Sequence, residues 1–189
     1  MQEELIYIHN MTSPRDILSV SNELERIGLK VKEIELGTAA FVNSVNIKAK
    51  DLAVALEKIG FRVLQKQDKE LTEEVKFLLG NYLAMLREKG AVPNLSDFLE
   101  EQMKKPFSSV SKRFRKIEGR TIENYYISLK MEYVKHLLNS SSMSVSEISA
   151  RLHYSSARSL ARVFKEHTGY SIYDFRNKER MAFMMSLNS

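Results

Sequence analysis

LSDFLEEQMKKPFSSVSKRFRKIEGRTIENY (residues 95–125) and VSEISARLHYSSARSLARVFKEHTGYSIYDF (residues 145–175) are two versions of one pattern. At an offset of 50 residues, Ser96, Ser109, Phe114, Gly119 and Ile122 recur as Ser146, Ser159, Phe164, Gly169 and Ile172. Like-for-like pairs fill the intervals: Leu95/Val145, Asp97/Glu147, Phe98/Ile148, Val110/Leu160, Lys112/Arg162, Arg115/Lys165, Thr121/Ser171 and Tyr125/Phe175. A single register held over some thirty residues marks an internal duplication, and the repeated unit is the supersecondary element to explain first.

Each copy reads as a short helix, a tight connection and a second, more basic helix, which is the order of a helix-turn-helix. In the first copy Phe107, Val110, Phe114 and Ile117 share one face of the second helix, and Ser108, Lys112 and Arg115 share another. In the second copy Leu160, Val163, Phe164 and His167 are expected inward, with Arg158, Arg162 and Lys165 outward. No acidic residue occurs between Pro106 and Ile117, and Glu166 is the acid of the second helix.

Such stripes suit a nucleic-acid duplex. Arg and Lys reach guanine O6 and N7 in the major groove, Ser bonds to base edges, and neighbouring cations neutralise phosphates. Ser155 or Ser156 can cap the second of these helices, leaving backbone amides for a phosphate. A lone basic amphipathic helix is more often the solvated face of a bundle. Two copies in register favour the duplex.

Upstream of the repeat, an apolar run at Leu5–Ile8 leads through Asn10–Pro14 into a helix carrying Ile17, Leu18, Val20, Leu24 and Ile27, which ends at Gly28. Strands over about 29–36 and 39–45, a helix marked by Leu52, Leu56 and Ile59, and a last strand at Phe61–Leu64 follow. The order strand, helix, strand, strand, helix, strand is the split βαβ arrangement. The expected fold is therefore α+β: an N-terminal ferredoxin-like βαββαβ domain (1–65), a polar linker (66–70), and an all-α domain of about seven helices with two helix-turn-helix units (71–189). Those helices are expected near 71–88, 95–103, 107–118, 121–139, 145–153, 156–167 and 171–184.

Charge divides the same way. Residues 1–65 carry 8 Lys/Arg and 9 Asp/Glu, whereas residues 66–189 carry 21 and 15. The basic half is the half expected to meet phosphate. With no cysteine and only four scattered histidines, disulfides, thiol nucleophiles and metal cages are not expected, and no cofactor is expected. No apolar run spans a membrane and the first residues are acidic, so a cytoplasmic protein without a membrane partner is expected. No GxSxG elbow, phosphate-binding glycine loop or HExxH is present, and an enzyme is not expected. His9, His136, His153 and His167 have no evident catalytic partner, and His167 reads as a helix-packing residue.

Residues 71–184 resemble the DNA-binding domain of the AraC/XylS family of bacterial transcription activators, through Val145-Ser146-Glu147-Ile148-Ser149, Tyr154-Ser155-Ser156, Leu160–Lys165 and Gly169–Ile172 in the second copy. Phe114-Arg115 and Gly119–Ile122 carry the likeness in the first, and Tyr125, Leu129, Leu137 and Leu138 fit the family's linking helix. The resemblance implies a transcription regulator that places two recognition helices in adjacent major grooves, with double-stranded DNA and RNA polymerase as partners. It implies base contacts from Ser108, Ser111, Lys112, Ala157, Arg158 and Arg162. Arg115, Lys116, Ser155, Ser156 and Lys165 are expected at phosphates. Three departures stand out: Lys104 and His153 replace the glycine usual in each turn, Pro106 replaces a capping serine, and Ser149 replaces an alanine.

Residues 1–65 resemble a heavy-metal-associated domain of ferredoxin-like fold, but after Met11-Thr12 the two thiolate positions hold Ser13 and Asp16. A soft metal would find neither ligand, so the resemblance implies a metal-free domain. Ile6–Met11 also resembles the first-strand motif of an RNA-recognition sheet, although Ala39 and Ser44 stand where stacking aromatics belong. An ACT-like regulatory domain shares the topology. Dimerisation or docking of a protein partner is the expected role ahead of small-ligand sensing. The alternative for the whole chain is a helical module whose basic helices bind an acidic protein, separable from DNA binding by the salt dependence of affinity.

Overall fold

The computed structural model describes residues 3–88 and 92–177, and the chain divides into two compact units, Met1–Glu73 and Glu74–Ser189. In the first unit the order is β1 (Glu3–His9), α1 (Pro14–Arg26), β2 (Lys30–Glu35), β3 (Thr38–Val42), α2 (Ala49–Lys58) and β4 (Arg62–Leu64). The strands form one sheet in the order β2-β3-β1-β4, with every neighbouring pair antiparallel.

Alternation along the strands sends Ile8, Ala39 and Phe41 to a core completed by Val20 and Leu24 of α1 and by Leu52 and Leu56 of α2. Full burial of one such side chain contributes roughly 1.5–3 kcal/mol. Leu18, expected on the inward face of α1, is 64% exposed. Two residues before Val20 is about 200° of helical rotation, which places Leu18 opposite the core. α1 starts where Pro14 presets its first turn and Asp16 Oδ2 accepts the amides of Thr12 and Ser13 at 2.8 and 2.9 Å. Those bonds hold the Asp16 carboxyl below its ordinary range, chiefly through the Thr12 amide.

The segment expected to be a linker, 66–70, is helical. α3 runs unbroken over Lys66–Glu88, with Gln65 O accepting the amides of Asp68 and Lys69. A polar run without Gly or Pro is as compatible with the wet first turns of a helix as with a loop. Here the pairs Lys66–Glu70 and Lys69–Glu73, each at 3.7 Å, add the i,i+4 spacing that favours helix.

The second unit is helical: α4 (Leu95–Met103), α5 (Phe107–Glu118), α6 (Ile122–Ser140), α7 (Val145–Arg151), α8 (Ala157–Thr168) and a further helical stretch at 172–177. The expected continuation of that last helix to 184 lies outside the described residues. Met131, Val134, Leu137 and Leu138 of α6 pack with Ile148, Leu152, Leu160, Phe164 and Ile172 in one core, while Phe98, Leu99, Met103, Val110, Phe114, Ile117 and Ile122 are buried around the first copy. Tyr82 of α3 packs on Phe98 and Tyr126 at 5.2 and 5.4 Å between ring centroids and donates its hydroxyl to Pro93 O at 2.7 Å.

Candidate nucleic-acid interface

Both copies of the repeat are closed by the same parts, 50 residues apart. Phe114 is fully buried and meets Tyr125 edge-on at 5.7 Å, and Phe164 is fully buried and meets Phe175 edge-on at 5.5 Å. After each basic helix a glycine takes the left-handed conformation, Gly119 at φ 72° and Gly169 at φ 80°. A hydroxyl then starts the next helix: Thr121 Oγ1 accepts the Asn124 amide and Ser171 Oγ the Asp174 amide, both at 3.1 Å.

The turns explain why a glycine would be expected there. Lys104 (φ 52°) and His153 (φ 56°) both hold left-handed backbone without being glycine. His153 N donates to Ala150 O at 3.1 Å and Tyr154 N to Ser149 O at 2.9 Å, the paired bonds of a Schellman helix end. The turn of the second copy also touches α6, where Lys130 Nζ lies 4.5 Å from the Tyr154 ring centroid and 5.2 Å from that of Tyr126. Burial lowers the pKa of Lys130 and pushes the Tyr154 phenol up to about 12, and the hydroxyls of Tyr126 and Tyr154 are buried without a partner.

α5 and α8 display the expected outer faces. On α5, Ser108, Lys112, Arg115 and Lys116 are exposed and Ser111 is half-buried, opposite Val110, Phe114 and Ile117. On α8, Arg158, Arg162 and Lys165 are exposed and Ala157 is half-buried, opposite Leu160 and Phe164, with Ser155 and Ser156 exposed just ahead. His167, expected to pack inward, is exposed. The inner stripe passes instead to Thr168, whose hydroxyl bonds back to Phe164 O at 2.7 Å, and then to Ile172.

The helix starts differ. Ser156 Oγ caps α8 by accepting the Ser159 amide at 3.1 Å. Pro106, which begins α5, makes no side-chain cap; instead Glu100 of α4 reaches across the turn and its Oε1 accepts the Phe107 amide at 2.6 Å. Sequence reasoning passed over Glu100, and the available signal was an uncapped Pro106 six residues after an acid. Within α8, Arg162 Nη1 bonds Glu166 Oε1 at 3.1 Å, with side chains 67% and 61% exposed. A pair that wet is worth at most about 0.5 kcal/mol and leaves the guanidinium free to exchange partners.

Residues 102–178 match the helix-turn-helix domain. No curated protein matches the chain. Among solved structures it is similar to the C-terminal domain of AraT, a response regulator from Geobacillus stearothermophilus, at 16% identity and TM-score 0.47 over 57% of this chain and 84% of that one. A regulator from Chromobacterium violaceum described as having an AraC-type DNA-binding domain aligns at 19% identity and TM-score 0.49, over 59% and 93% of the two chains. The DNA-binding domain of AdpA, in complex with a target DNA, aligns at 22% and 0.47, over 57% and 94%.

The helix-turn-helix match starts at residue 102, inside α4, and covers both basic helices and the whole of α6 between them. No helix among the described residues is long and apolar enough to cross a membrane. Among the same residues no group of His, Asp or Glu could hold a metal ion.

Proposed function

We propose that this protein is a sequence-specific DNA-binding transcription regulator of the AraC type, placing α5 and α8 in adjacent major grooves of one duplex. The observation that carries the reading is the duplicated helix-turn-helix with an exposed cationic stripe on the second helix of each copy. Ser108, Ser111 and Lys112 on α5, and Ala157, Arg158 and Arg162 on α8, are the base-reading set. Arg115, Lys116, Ser155, Ser156 and Lys165 are the phosphate-contacting set. Successive major grooves recur about every 34 Å, so one chain would read two half-sites with α6 as the spacer, and a bend in the duplex would be offset by further phosphate contacts. RNA polymerase is the proposed partner through which occupancy becomes regulation, and the cytoplasm the proposed compartment.

For the first unit the proposed class is ferredoxin-like, supported by the βαββαβ order and the β2-β3-β1-β4 strand order. A metal-free role is supported by Asp16, whose carboxylate already accepts from Thr12 N, Thr12 Oγ1 and Ser13 N at the place where thiolates would stand. Docking of a protein partner is the role proposed for it.

Selection of bound sequences from random duplex DNA by the full chain is the test. Enrichment of two motifs about one helical turn apart is expected, with log affinity falling linearly with log salt. Absence of enrichment, with binding to acidic protein retained, would replace this reading with that of an interaction module.

A further inference from the structure

We propose that Glu100 closes the start of the first recognition helix to DNA phosphate, so that the two copies bind the duplex unequally and α8 supplies the greater share of affinity. The inference rests on the regulator reading above. The first amide of α5, on Phe107, is bonded to Glu100 Oε1 at 2.6 Å. A phosphate oxygen taking that amide would occupy the place the carboxylate holds, and two anions cannot share one donor without severe repulsion. At the matching position of the second copy stands Ala150, which has no carboxylate to offer, and the cap there is Ser156, which bonds the Ser159 amide and adds no charge.

The same contact explains how Pro106 is tolerated as the residue ahead of α5. Proline brings no side-chain acceptor, and the acceptor comes instead from the preceding helix. That substitution has an electrostatic consequence. A serine cap is neutral and leaves the positive end of the helix macrodipole open to an incoming anion, whereas a carboxylate neutralises it in advance. In α5 the cations begin only at Lys112, beyond the first turn, and that helix lacks an acid in its own first turn. Glu100 is thus the carboxylate bonded at the helix start, although Glu101 stands one residue closer in sequence.

Glu100→Gln tests the proposal, because the carboxamide oxygen can still accept the Phe107 amide while the charge is gone. Binding of the full-length wild type and variant to the same selected duplex, and to random duplex, is measured by titration at fixed salt. Thermal unfolding of each is followed in parallel. The variant is expected to bind both duplexes about 2- to 10-fold more tightly, with the ranking of sequences unchanged. The double variant Glu100→Ala with Pro106→Ser restores a neutral cap of the kind found at Ser156, guards against loss of helix structure, and should show the same gain. Unchanged or weaker DNA binding by folded variants, while wild type binds its selected site, would overturn the role of Glu100 and leave the regulator reading standing. Failure of wild type itself to bind any duplex would bring down both.

Discussion

Phe114 and Phe164 occupy equivalent places in two copies of one unit, each fully buried and each meeting an aromatic from the following helix edge-on. The outer ends of the same helices have diverged. α5 starts at a proline and takes its cap from Glu100, while α8 starts at Ser156 and caps itself; α8 ties Arg162 to Glu166, while α5 has Lys112 and Lys116 at the corresponding positions. Duplication preserves the parts that close a hydrophobic core because any change there leaves a cavity. It leaves freer the outward faces and helix ends, where a change opens no cavity in the core.

The sharpest way to break that comparison is to empty the two cores. Phe164→Ala and Phe114→Ala should each cost about 3–5 kcal/mol in chemical denaturation, and a much smaller loss for Phe114→Ala would show that the first copy is loosely closed. Next in size are the outward cations. Arg162→Ala should weaken binding to the selected site by about 1–3 kcal/mol and relax preference at one base pair, whereas Arg115→Ala should weaken all sequences alike. Equal losses on selected and random duplex for Arg162→Ala would move it to the phosphate set.

Helix ends give smaller effects. Ser156→Ala should cost about 1 kcal/mol of stability by freeing the Ser159 amide, with Pro106→Ala closer to neutral because Glu100 does the capping there. His153→Gly should stabilise by about 0.5–1 kcal/mol, since relief of left-handed strain exceeds the added freedom of the unfolded chain. The smallest difference is acid sensitivity. α7 opens with a capping box in which Ser144 holds the Glu147 carboxyl below its ordinary pKa, and Asn94 makes no side-chain cap for α4. A depressed folded-state pKa means stabilisation present above the unfolded value and lost as pH falls through the folded one. Glu147→Gln should therefore lower the neutral plateau slightly and flatten the acid limb of the unfolding profile, with the two proteins converging at low pH.

Much of the architecture was legible in the chain because its signals are local. Gly119 and Gly169 end helices, Pro14 starts one, and the 3.6-residue spacing of Val110, Phe114 and Ile117 names an inner face. Periodicity failed at its margins: Leu18 and His167 are apolar or aromatic residues near an inner stripe but outside its arc, and both are exposed. It also failed at Lys66–Glu70, where polarity was mistaken for a loop although nothing in the segment breaks a helix.

By itself the sequence determined the duplication, the boundaries of α4 to α8 within a residue or two, and which side of each basic helix carries cations, because all of these follow from spacing along one element. Tertiary structure decided which groups meet across elements: Glu100 on the Phe107 amide, Lys130 over the ring of Tyr154, and Phe175 against Phe164. Such meetings depend on the angle and distance at which helices cross, which are set by how the whole core packs and are not written in the period of any one helix.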